Sequence, residues 1–217
     1  MSLSSSPAPA RTDTVAATPA PRTSTRPVAS TRLVRAAGTA VATGSAAWAA
    51  GILAFDVDPA PGWQGTLFRP SSLLFQLGLA ALVTVQLRTG ATGTGRLARG
   101  FLHAEHLLLG LAITSTLTWM FLREHEDQAW FIALDAFWPL SMLGMAAIGV
   151  RIAIAGRWQG RARSWPLVAE SWAPVTVPTA FLLPAITQYV RAAHLLIGYV
   201  VLGVILATRP HLTGARD

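Results

Sequence analysis

The sequence predicts an all-α fold, a polytopic integral membrane bundle of six transmembrane helices, and three observations carry that reading. Six stretches of about 17–22 mostly apolar residues follow one another, and some 20 such residues cross a hydrocarbon layer of about 30 Å at about 1.5 Å rise per residue. Only 12% of the residues are charged and 52% are hydrophobic, with a mean hydropathy of +0.46. A soluble domain of this size carries about twice that charge. Finally, the arginines collect at alternate joints between the apolar stretches, as the loops of one membrane face should.

Taken in order, residues 1–31 are Ser, Thr, Pro and Ala with scattered arginines, and cannot bury enough apolar surface to offset their ordering entropy. They are expected to be a disordered cytoplasmic tail, followed by a transmembrane domain over 32–209 and a short cytoplasmic tail over 210–217. The spans fall at about 36–55, 70–87, 101–122, 129–151, 166–187 and 190–208. The first is rich in small residues (Ala40, Gly44, Ala47, Gly51), which suit close helix packing. Pro174, Pro178 and Pro184 interrupt the fifth, so a bent or discontinuous helix is expected there.

All 17 basic residues are arginine. Counting Arg151 and the amino-terminal tail, fourteen fall on one side of the six-span topology and Arg69, Arg123 and Arg191 on the other, with Asp56, Asp58, Glu124, Glu126 and Asp127. The positive-inside rule then sets both termini in the cytoplasm and the protein in the plasma membrane. Trp63, Trp119, Trp130 and Tyr189 would mark the outer interface, Trp158 and Trp165 the inner one. A sequence pI near 11.5 would suggest nucleic acid in a soluble protein, but arginines at the ends of apolar spans point to topology instead, and no nucleic-acid partner is expected. The absence of cysteine removes disulfides, thiolate metal sites and iron–sulfur clusters.

An internal likeness runs through the chain. Ala104-Glu-His106-Leu-Leu-Leu-Gly110 in span three matches Ala192-Ala-His194-Leu-Leu-Ile-Gly198 in span six, and at a similar offset Trp48 falls on Trp138. Three spans per half would make the halves inverted three-helix repeats, an arrangement many transporters use. The alternative is chance likeness among Ala- and Leu-rich helices.

Ionisable residues inside apolar spans cost about 2.5–3.5 kcal/mol each on insertion scales and should face protein or water. By depth they sort into an inner layer of His103, Glu105, His106, Arg151 and Glu170 and an outer layer of Asp135 and His194, about 15 Å apart at the helical rise per residue. Asp135 and Glu170 each stand four residues before a proline, Pro139 and Pro174. Proline has no N–H and crowds the carbonyl at i−4, so each acid coincides with a freed backbone oxygen. Such a point could hold a proton, a cation or a water. The plainer reading is a pair of kinks, the acids pairing with Arg151 or His194.

His103 and His106 share one helix face at a spacing that can hold a metal, but Glu105 points away from His103 and Glu170 would have to supply a third ligand. His106 and His194 differ in depth and do not suit a bis-histidine haem. No cofactor is expected. Nucleophile-elbow, phosphate-loop, dinucleotide and zinc-protease motifs are absent from the sequence.

The stretch Asp135-Ala-Phe-Trp-Pro-Leu-Ser-Met-Leu-Gly-Met145 with Gly156-Arg-Trp-Gln-Gly160 resembles a pattern in uncharacterised small multi-span membrane proteins of actinobacteria. The resemblance covers roughly residues 130–175 and implies a multi-pass membrane location. It transfers no activity. The sequence therefore reads first as a scaffold or regulatory membrane subunit, with membrane lipids, another membrane protein or a second copy of itself as partners. A small transporter or proton/cation pathway with Asp135, Glu170, His106 and His194 as relays is the alternative, and a redox or lipid-modifying enzyme using the His103/His106 face comes after it.

Overall fold

The computed structural model describes residues 29–55 and 62–217. The amino-terminal tail up to residue 28, and the loop holding Asp56 and Asp58, lie outside the described residues. All regular structure among the described residues is helical: α1 (Thr31–Phe55), α2 (Trp63–Thr89), α3 (Arg96–Phe121), α4 (Ala129–Asp135), α5 (Phe137–Ala155), α6 (Gly160–Ala169), α7 (Trp172–Leu182), α8 (Thr187–His194) and α9 (Val201–Thr208). A π-helical turn, Leu195–Val200, joins α8 to α9.

Among the described residues four helical stretches are long and apolar enough to cross a membrane, against the six expected: Thr31–Phe55, Trp63–Thr89, Ala129–Ala155 and Pro184–Thr208. The two shortfalls have separate causes. α3 has the length, 26 residues, but His103, Glu105, His106 and a run of Ser and Thr dilute its apolar character. The fifth expected span is split into α6 and α7, of 10 and 11 residues. The apolar surface of the bundle suits a hydrocarbon solvent: Leu107, Ile132, Leu143, Ile154, Phe181 and Leu182 are all exposed.

Both helix breaks fall where an acid precedes a proline by four. Ala136 separates α4 from α5 just after Asp135, and Glu170–Ser171 separates α6 from α7. Pro139 and Pro174 remove the amide that would have bonded those carbonyls, and the chain turns there instead. Glycines in the left-handed region end two other helices, Gly90 (φ +64°) after α2 and Gly156 (φ +63°) after α5. At the first, the Ala91 amide donates to Gln86 O at 2.9 Å, closing the helix end.

α1 runs through the middle of the assembly, against α2 on one side and α8, the π turn and α9 on the other. Its small residues permit this. A Cβ on Gly44 would lie 2.5 Å from Leu74 O of α2, and one on Gly38 would lie 2.6 Å from Gly203 O of α9. The small-residue face of the first span is thus occupied by the chain's own helices. Aromatic rings fill the centre: Trp48 packs on Phe75 (centroids 4.8 Å), Trp172 (5.4 Å) and Trp138 (5.6 Å), and Phe75 on Tyr199 (5.1 Å). Trp158 is fully buried, its indole N–H donating to Thr89 Oγ1 at 2.9 Å.

The arginine-bearing ends of α2 and α3, the α5–α6 joint and the carboxyl terminus gather at one end of the bundle, around a common cavity. There the Arg216 amide donates to Ala29 O at 3.1 Å, and Thr31 bonds Asp217. A 3-10 turn, Pro210–Thr213, completes this end, with Leu212 O accepting from the Gln159 amide at 2.8 Å. The expected short tail over 210–217 is therefore packed against the start of α1.

The glycines of α3 offer a first test of this packing. Gly110 and Gly100 would meet nothing within 4 Å with a Cβ added. Gly110→Ala should therefore stabilise the protein by about 0.5–1 kcal/mol through helix propensity alone, seen as a higher melting temperature in detergent.

Candidate functional site

The polar interior is built on α3, on the α6–α7 break and on the π turn. Glu105 faces inward from α3 and is 2% exposed, in register with Leu102, Leu109 and Ala112 on the buried stripe. Its Oε1 accepts from the Ser141 hydroxyl of α5 at 2.6 Å, and its Oε2 lies against Gly144, where no side chain could fit. Glu170, 1% exposed, sits in the α6–α7 break. Gln86 Nε2 of α2 donates to its Oε1 at 2.5 Å. Its Oε2 has no hydrogen-bond partner among the described residues and lies 3.1 Å from where a Cβ on Gly149 would be. Two glycines of α5 thus make room for the two carboxylates.

The π turn brings in Tyr199, fully buried, with its hydroxyl and Gln86 Oε1 also without partners among the described residues. The wide turn leaves backbone oxygens to be met, and the Trp165 indole N–H does so, donating to Ile197 O (3.0 Å) and Gly198 O (3.1 Å). Gly198 permits the close approach, since a Cβ there would lie 2.9 Å from Ala169 Cα, next to Glu170. No described Arg or His forms an ion pair with either carboxylate; the described ion pairs are Arg123–Glu126 and His125–Glu124, on the surface.

The remaining sequence candidates are placed differently. Arg151 Nε donates to Thr92 O at 3.2 Å and pairs with no acid. Asp135 is exposed at the end of α4, where its Oδ1 accepts from the Ser115 hydroxyl at 3.2 Å. His194 Nε2 lies 3.3 Å from Ser171 Oγ, next in the chain to Glu170. His106 Nδ1–H donates to Leu102 O (3.0 Å), and its Nε2 meets Thr84 Oγ1 (3.1 Å). His103 is exposed and lines the separate cavity at the arginine end. The two histidines therefore serve different surroundings, and among the described residues no three His, Asp or Glu side chains are grouped to hold a metal.

Gln86, Ser141 and Tyr199 were not among the sequence candidates. A signal for one of them existed, since Gln86 is a polar residue late in an apolar span; Gly144 and Gly149, which make room for the carboxylates, are mid-helix glycines, which usually have a packing reason. Among the described residues the fold and site define an all-α bundle with four membrane-length apolar helices and two enclosed carboxylates. Comparison of the chain with protein-family models, curated proteins and solved structures finds no match.

Proposed function

We propose that this chain is a small transporter that crosses the plasma membrane six times and binds and releases a proton or small cation at Glu105 and Glu170. The observation that carries the reading is Glu170 itself: a fully enclosed carboxylate, held by a neutral amide, at a helix break. Burying a charge without an ionic partner costs several kcal/mol. A glutamine at that position would make the same hydrogen bond without that cost. Acids retained inside a membrane domain under such terms serve an ion or proton path.

Other features support it. α3 is as long as the accepted spans, and α6 and α7 together supply a fifth, discontinuous pass of the kind that forms transporter binding sites. Six passes agree with the Ala29–Arg216 hydrogen bond, which joins the two ends of the helical domain, and the arginine asymmetry makes that end cytoplasmic. Contact between Trp48 and Trp138, the pair equated by the internal likeness, favours inverted halves. Against that, span six carries a π turn where span three is regular helix.

The test is reconstitution in liposomes with an imposed proton or sodium gradient and an internal dye. Wild-type protein should dissipate one gradient faster than empty liposomes, and the Glu105→Gln/Glu170→Gln variant should not. Flux no faster than empty liposomes for both ions rejects transport of this kind. A scaffold role then remains, and co-purification of a membrane partner in mild detergent examines it.

A further inference from the structure

At the arginine end of the bundle lies a cavity of about 530 Å³, walled by the ends of α2 and α3, the α5–α6 joint and the turn before the carboxyl terminus. Three arginines line it from three elements: Arg88 from the last turn of α2, Arg99 from the first turn of α3, and Arg157 just after the α5 cap. His103, one turn beyond Arg99, adds a fourth nitrogen-bearing side chain. Among the described residues no acid lines the cavity. None of the three arginines forms an ion pair or a side-chain hydrogen bond with another described residue.

Like charges gathered around one space repel, and no described acid is paired with them to offset the repulsion. The floor is bare backbone at Gly90 and Gly93, both in the left-handed region (φ +64° and +122°), so a ligand can approach it closely. A Cβ on Gly90 would sit 3.5 Å from Arg157 Nε. The Arg216–Ala29 and Thr31–Asp217 hydrogen bonds fix the far wall. We infer that this cavity binds a phosphate group carried on an organic moiety, either an anionic lipid headgroup or a soluble phosphomonoester. Guanidinium forks match phosphate oxygens in pairs, and the volume falls within the range of about 300–1,000 Å³ typical of small-molecule sites. The site is separate from the carboxylate centre, and its test does not involve flux.

The full chain would be placed in nanodiscs of phosphatidylcholine, with or without phosphatidic acid, and separately titrated in detergent with glycerol 3-phosphate. Native mass spectrometry reads retained lipid, and calorimetry reads the soluble ligand. Retention of phosphatidic acid that glycerol 3-phosphate does not displace assigns a lipid source; binding of glycerol 3-phosphate assigns a soluble one. In either case Arg99→Gln and Arg157→Gln should each weaken binding about tenfold, the loss of one charge-assisted pair. Arg157→Lys, which keeps the charge and loses the fork, should fall between them and wild type. Arg161→Gln, on α6 and outside the cavity, should bind as wild type, and melting curves of all variants confirm folding. Binding of neither ligand overturns the inference, as does an equal loss in Arg161→Gln.

Discussion

Glutamine at position 170 is expected to give a folded protein whose ion flux falls to the level of empty liposomes. The side chain keeps its volume and an oxygen to accept from Gln86 Nε2, so the 2.5 Å contact to α2 has a neutral replacement. The exchangeable proton and the charge are lost. Because a buried carboxylate without an ionic partner carries an uncompensated desolvation cost, the melting temperature of Glu170→Gln should equal or exceed that of wild type. Glu170→Ala should behave differently: it leaves the Gln86 amide unmet and costs about 1–3 kcal/mol. Joining it to Gln86→Leu should recover most of that loss without restoring flux, since removing both partners of a buried polar pair is close to neutral. Stability and transport would thus separate across three variants. A Glu170→Gln protein with wild-type flux would show that the carboxylate serves only as a hydrogen-bond acceptor.

How much of this is legible in the sequence depends on whether the cause is local. The helix breaks beside Asp135 and Glu170 are readable, because proline acts on the carbonyl four residues before it and needs no tertiary partner. The gathering of arginines at one end is readable for a similar reason, since it depends on span lengths alone. The surroundings of each ionisable group are not. Glu105 finds Ser141 and Gly144 on α5, and which helix faces α3 is not written in α3. Depth counted along each span puts His194 with Asp135, whereas packing sets it against Ser171. Tyr199 escapes the sequence because its direction depends on the π turn, which adds a residue to one helical turn and rotates the later side chains by about 100° relative to a regular helix. The small residues of span one do mark a packing face, but sequence cannot say that α2 and α9 occupy it.

That face supplies the largest expected effect on stability. Gly203→Val should destabilise the protein by about 1–3 kcal/mol or more, the usual range for overpacking, and lower its yield in detergent. A Cβ at Gly203 would lie 2.5 Å from Gly38 O and 2.6 Å from Ala42 N, both backbone atoms of α1. Backbone cannot rotate aside as a side chain can, so α9 as a whole must move. α1 has no room to retreat, because its other side meets α2 through Gly44 and Gly78, where added Cβ atoms would lie 2.5 Å from Leu74 O and 2.9 Å from Ala40 O. Gly38→Ala and Gly203→Ala open the same crossing and should combine less than additively, because one separation of the helices accommodates both methyl groups. Equilibrium unfolding of the two single variants and the double variant measures this coupling. A Gly203→Val protein as stable as wild type would mean that α1 and α9 do not meet at these glycines.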